Sequence, residues 1–228
     1  MPLKWHVVAP LAMTLAANTA RAGKTRKRTR IQEENEQRIL DAALEVFSTY
    51  GFRGATVDQI AAIAGMTKPN LLYYFRRKQD IYLAVLNRTH EKWLEPLEAL
   101  DADGDPAAEI TRYVDRKLEM SREMPTASRL FAMEVMQGAP VLGPVLKGRL
   151  KRLVDDKAAV IQGWVDAGRI APVDPYHLIF MIWATTQHYA DFDVQVRAIL
   201  GPAAANNAHF DAARVTLEQL LIKGVAGK

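Results

Sequence analysis

The 228-residue sequence contains no cysteine. Disulfides, zinc–thiolate sites and thiol nucleophiles are therefore excluded, and the absence fits a reducing compartment, with the cytoplasm expected. The apolar stretch near the N-terminus falls well short of the roughly 20 residues that a membrane-spanning helix needs. No segment shows the two-residue alternation of a half-buried strand, and no segment repeats, so neither sheet nor solenoid is expected. HExxH and glycine-rich phosphate loops are missing too, which removes the commonest metal-hydrolase and nucleotide signatures. Nor is charge of one sign in great excess: 30 Lys+Arg against 26 Asp+Glu give a formal net charge of +4.

What is present is a chain able to fold, with hydrophobic residues making up 49%. Its basic charge is also unevenly placed. Lys24, Arg26, Lys27, Arg28 and Arg30 lie within seven residues, a concentration that suits a polyanion partner, the alternative being a solvated tail. Residues 1–32 are expected to form a disordered basic arm. Met1–Ala20 has the outline of an export signal, but Pro10 interrupts its apolar part and the basic run follows it, so a later start such as Met13 is the competing reading.

From Glu33 onward the apolar period is helical throughout. Ile39, Leu40, Ala43, Leu44 and Phe47 form one face, ended by Gly51. Thr56 is a predicted N-cap for a short helix over 57–64, Gly65 breaks it, and Thr67 opens a third helix through Tyr74 with Pro69 near its start. A longer helix begins at Asp80. Further helices are predicted over 107–122, 127–137, 145–168, 175–199 and 211–224, separated by DADGDP, GAPVLGP, APVDP and GPAAANN. The fold class is all-α.

The stretch TVDQIAAIAGMTKPNLLYYF (56–75) has the layout of a helix-turn-helix: two short helices, a glycine turn, and Ile60, Ala61, Ile63 and Leu71 as a small expected core. Thr67, Lys68, Asn70 and Tyr73 fall early in the second helix, where a recognition helix meets DNA; Lys reads guanine and Asn adenine in the major groove. Thr67, Tyr74 and Lys78 are expected on phosphates, with Thr56 and Pro69 as flanking candidates. The bland alternative is an ordinary helical hairpin. Residues 33–80, with YGFRGATVDQIAAIAGMTK and LLYYFRRKQDIY, resemble the DNA-binding domain of the TetR family of bacterial repressors. The resemblance implies an all-α fold, a DNA-binding head over 33–79, and a ligand-binding, dimerising bundle over 80–228. It also implies a homodimer on a palindromic double-stranded DNA operator, with no cofactor and no metal. LLYYF, ASRLFAMEVMQGAP, IQGWVDAGRIAPVDP and HLIFMIWATTQHYADF further resemble a pyrimidine-responsive member of the family. Pro69 and the long basic arm depart from that pattern.

At about 100° per residue, Trp183 and Gln187 share a helix face. A carboxamide presents an acceptor beside a donor, complementary to the N–H and C=O on one edge of uracil or thymine. In the pyrimidine-responsive relative this Trp and Gln are the pyrimidine contacts, and the resemblance carries that role to these positions. Trp93, Phe131 and Met133 are expected as apolar walls, Glu134 as a pocket or salt-bridge residue, and His188 as a neighbouring ligand contact or an internally satisfied core residue. The competing reading packs Trp183 in the dimer core and bonds Gln187 to nearby backbone. An enzyme built on His188, Asp191 and Glu134, an unrelated effector, and a ligand-blind architectural DNA binder are the other function classes.

Overall fold

A computed structural model describes residues 30–225. The basic arm, apart from Arg30, lies outside these residues, as does the stretch read as an export signal. The described residues are helical with no strand. The chain divides after Asn35; of the first part only the opening turns of α1 are described, where Arg30 pairs with Glu34 at 2.7 Å.

Three helices form the head. α1 (Arg30–Gly54) buries Ile39, Leu40, Ala43, Val46 and Phe47, and is bent at Gly51, whose φ of 66° suits a residue without Cβ. α2 (Val57–Ile63) begins with a capping box: the Gln59 amide donates to Thr56 Oγ1 and the Thr56 amide to Gln59 Oε1. α3 (Lys68–Tyr74) starts at Thr67, whose hydroxyl accepts from the Asn70 amide at 3.4 Å. Gly65 (φ +65°) makes the turn between them. Above it Arg38 donates to the Ala64 carbonyl at 2.5 Å, placing a cation at the negative end of α2. Ile60, Ala61 and Leu71 are buried as expected, but Ile63 is 49% exposed. As the last residue of α2, it lies past the face that meets α3.

α4 (Lys78–Glu98) runs from the head into the bundle, followed by α5 (Pro106–Glu123) and α6 (Pro125–Met136). Met124, at φ −127° and ψ 44°, separates the last two, as the residue before a proline should. After the turn at 137–142 come α7 (Gly143–Val145), a π-helical turn (Leu146–Leu150) and α8 (Lys151–Asp166), where one helix over 145–168 was expected. α9 (Pro175–Asp191) is capped by Asp174, which accepts from the His177 amide at 2.9 Å. The single helix expected to 199 is interrupted at Phe192 (φ −115°, ψ 30°) and resumes as α10 (Asp193–Leu200). α11 (His209–Leu217), a second π-helical turn and α12 (Lys223–Val225) close the described chain. α5 packs on α9 and α4, α6 on α9 and α4, and α8 on α9, so α9 is the central helix of the bundle.

Candidate DNA-binding and ligand-binding sites

On the head, Lys68, Pro69, Asn70 and Tyr73 are exposed on one helix, Tyr73 to 72%. Tyr74 is half-buried with its ring edge-on to Tyr73. Lys68 is held by Asp58 at 2.9 Å. Thr56 and Thr67 act first as helix caps, which leaves their side chains at the two N-termini facing outward. Lys78 differs from the expectation. Its ammonium donates to the carbonyls of Phe52 and Ala55, both at 2.7 Å, and lies 4.7 Å from the Phe52 ring centroid. It closes the C-terminal end of α1, a task its sequence neighbours Arg76 and Arg77 do not share, and is removed from the set of free phosphate contacts.

In the bundle, a groove of about 590 Å³ runs between α6, the π-helical turn and α9. Phe131, Met133, Leu146 and Leu150 supply apolar walls, and Trp183, Gln187 and Asp191, successive turns of α9, line one side. The indole N–H of Trp183 donates to Tyr113 Oη at 2.6 Å, so its ring face rather than its donor is available. Burial pushes the Tyr113 hydroxyl up, so it stays protonated. The half-buried Gln187 side chain makes no hydrogen bond among the described residues. Asp191 accepts from the Ser128 hydroxyl; burial raises its carboxyl above the usual range, against the pull of Ser128 and Lys117.

Three expected ligand residues lie elsewhere. Glu134 is turned away from the groove: its carboxylate accepts from Tyr82 Oη (2.9 Å) and from the amides of Val141 (2.6 Å) and Leu142 (3.1 Å). It ties α6 to the head end of α4. His188 is exposed and stacks on Phe192, with ring centroids 5.0 Å apart. Trp93 is buried inside the bundle, with Lys117 Nζ 3.6 Å from its ring centroid. The enzyme reading loses its geometry with these placements, since Glu134 is engaged by Tyr82 and the 141–142 amides and neither it nor His188 hydrogen-bonds Asp191, and the described residues hold no metal-binding group of three His, Asp or Glu. Tyr113, Lys117, Ser128 and Arg129 join the site without having been among the expected residues. Only Lys117 left a trace, as a cation on the buried face of α5.

Comparison with known proteins bears on both halves of the chain. The model of "Bacterial regulatory proteins, tetR family" matches residues 39–85, and that of "YcdC-like protein, C-terminal region" matches residues 86–228. The HTH-type transcriptional regulator RutR of Escherichia coli (strain K12) is 48% identical over 201 residues, covering 88% of this chain and 95% of that protein. Among solved structures, a TetR-like transcriptional regulator from Rhodococcus sp. RHA1 superposes with a TM-score of 0.63 at 26% identity, over 87% of this chain and 98% of the other. A transcriptional regulator from Streptomyces coelicolor, SCO4942, gives 0.64 at 25% identity, over 85% and 99%. A helix-turn-helix presenting Lys68, Asn70 and Tyr73, joined to a helical bundle with an open groove, therefore has its place: the chain belongs to the TetR family of ligand-responsive, DNA-binding transcriptional regulators and is not an enzyme.

Proposed function

We propose that this regulator is a cytoplasmic, homodimeric repressor of pyrimidine catabolism that uracil or thymine releases from a palindromic operator. The observation that carries the reading is the Gln187 carboxamide, which lines the groove without a protein partner one turn from the Trp183 ring. Open to the groove, the amide keeps both its donor and its acceptor for whatever enters. A cyclic imide edge takes both with two hydrogen bonds, while the indole face stacks on the planar ring. The resemblance to the pyrimidine-responsive relative supports the same pair. Phe131 and Met133 remain as walls, and Trp93, Glu134 and His188 do not enter the first contact set.

Release requires that the effector bind the DNA-free arrangement of the heads better than the DNA-bound one. The route from groove to head is short: Phe131 and Met133 face the groove on the helix whose Glu134 holds Tyr82 at the start of α4. A second reading has one observation in its favour. The groove is several times larger than a pyrimidine base and largely apolar, which suits a bulkier hydrophobic effector. Calorimetry and gel-shift titration with Gln187→Ala decide between them. The variant should keep operator binding and lose about 1–3 kcal/mol of uracil affinity. Uracil affinity unchanged in Gln187→Ala removes the residue from the site and favours the bulkier effector.

A further inference from the structure

Apart from the groove and the head, a cavity of about 230 Å³ lies between α5 and α11. On the α5 side Asp115, Leu118 and Arg122 recur at three- and four-residue spacing and share one face. Phe210, Asp211 and Arg214 line the α11 side. Leu118 and Phe210 are buried and give the cavity an apolar floor. The charges around it are incompletely matched. Glu119, also at the rim, is engaged by Arg116 at 2.9 Å. Arg214 reaches Glu218 only at 4.0 Å. Arg122 and Asp211 form no side-chain hydrogen bond or ion pair among the described residues. Asp115 Oδ1 is buried with no hydrogen-bond partner. Burial raises the Asp115 carboxyl above the usual range; Arg214 pulls it back, and Glu218 and Glu119 push it further up. Nearly all buried polar groups in folded proteins are paired. An orphaned carboxylate oxygen beside a cavity that also holds an arginine without an acid calls for an occupant carrying a donor for the first and an acid for the second. Helical side chains lean toward the helix N-terminus, so Arg122, two turns after Asp115, leans back along the cavity toward it.

We propose that the cavity between α5 and α11 is a second small-molecule site, which binds a small amino acid through its ammonium on Asp115 and its carboxylate on Arg122. An ammonium has three donors and no acceptor, so it can satisfy Asp115 Oδ1 and still reach Asp211. A guanidinium takes a carboxylate through two parallel N–H donors, and Arg214 stands across the cavity as a further cation. A lone amine leaves the arginines unanswered, and a lone carboxylate leaves Asp115 orphaned and adds repulsion. Only a zwitterion answers both. The volume is below the roughly 300–1,000 Å³ of sites that take drug-sized ligands, which restricts the occupant to a side chain of few carbons over Leu118 and Phe210. None of these residues lines the groove between α6 and α9, so the site does not depend on which effector that groove takes.

The test is calorimetric titration and thermal melting of the full-length protein with glycine, L-alanine and β-alanine, and with propylamine and propionate as single-charge controls. At least one of the three amino acids should bind saturably and raise the melting temperature, as a ligand selective for the folded state must. Both single-charge controls should bind about tenfold or more weakly. Asp115→Asn and Arg122→Gln should each weaken the amino acid by about tenfold or more and keep operator binding. Asp115→Asn should melt no lower than the wild type, because the orphaned oxygen loses its charge and no bond is broken. Arg122 is exposed, so Arg122→Gln decides alone if Asp115→Asn fails to fold. Gln187→Ala, altered in the groove, should bind the amino acid as the wild type does. The proposal is overturned by a wild type that binds none of the three, by propylamine or propionate binding equally well, or by wild-type affinity in both cavity variants. Loss of binding in Gln187→Ala overturns it too, by moving the ligand into the groove. So does an Asp115→Asn protein whose oligomeric state changes in light scattering, since the carboxylate then belongs to a contact with a second copy.

Discussion

The ammonium of Lys78 gathers the free carbonyls at the end of α1 and lies against Phe52, so its charge serves the head's own fold. Lys78→Ala leaves two carbonyls without a charged donor and should cost the head about 1.5–3 kcal/mol. That lowers the melting temperature by about 2–4 °C per kcal/mol in a chain of this size. Once folded, the variant should keep its operator preference and salt slope; a salt slope reduced by about one would return Lys78 to the phosphate contacts. Lys117 leads to a prediction about pH. Burial holds its ammonium well below the usual value of 10.5, and Asp191 offsets this only in part. Between the depressed value and 10.5 the unfolded chain binds more protons than the folded one, so this residue makes stability rise with pH across that window. Lys117→Met should therefore melt above the wild type at neutral pH, and the gap should shrink as pH approaches 10.5. A gap constant over thermal melts from about pH 7 to 10 excludes a buried amine. Neither lysine's role was legible in the sequence. Lys78 stands beside Arg76 and Arg77 and reads as one of a basic turn, while its acceptors lie more than twenty residues away. Trp183 and Gln187 were legible because both sit on one helix, where spacing alone fixes their common face.

Helix α6 touches both the groove and the core that the head shares. Its groove side presents Phe131 and Met133, and Glu134 reaches the other way to Tyr82, Val141 and Leu142. Effector contact that shifts α6 is thus passed to the first turns of α4, which pack in the same core as α1 and α2. Tyr82→Phe removes the phenolic O–H and leaves Glu134 its two backbone donors. It should cost about 1 kcal/mol of stability and weaken the link. Uracil affinity of the free protein and operator affinity of the uracil-free protein should stay near wild type, while the factor by which uracil weakens operator binding falls. Linkage requires the same fall when operator is held constant and uracil is titrated. A release factor equal to the wild type's would place the coupling in α5 instead. Helix existence was readable from apolar period, from the stop that Pro125 imposes on the preceding helix and from Pro175 at a helix start. The break at Phe192 and the π-helical turn at 146–150 were not, because aromatic and apolar side chains continue through both and only packing selects the local geometry.

For the molecule as a whole, the recognition surface sets the requirement for a partner. α3 would bring Lys68, Asn70 and Tyr73 to DNA, too few contacts to single out one site in a genome. A two-fold dimer doubles them and fixes the spacing of half-sites. Tyr176, Phe180 and Met181 leave apolar area exposed on α9, at 41%, 48% and 48%, and pairing of α8 and α9 with their copies would cover it. Operator binding should then show the salt dependence of a dimer, with log affinity falling against log salt at about 0.9 per phosphate neutralised. Asp58 bears on the same surface. It holds Lys68 in the free head, so a phosphate must displace a carboxylate before Lys68 can contribute. The exposed pair is worth little by itself, roughly 1 kcal/mol or less, but a dimer presents it twice and the carboxylate also repels DNA. Asp58→Asn should raise affinity for operator and random DNA alike, and steepen the salt slope, with base preference still lost only in Asn70→Ala. Light scattering at micromolar concentration must report the dimer for the doubled effect to hold. A monomer, or an Asp58→Asn variant that gains affinity for the operator alone, would place Lys68 on bases through a different docking of α3.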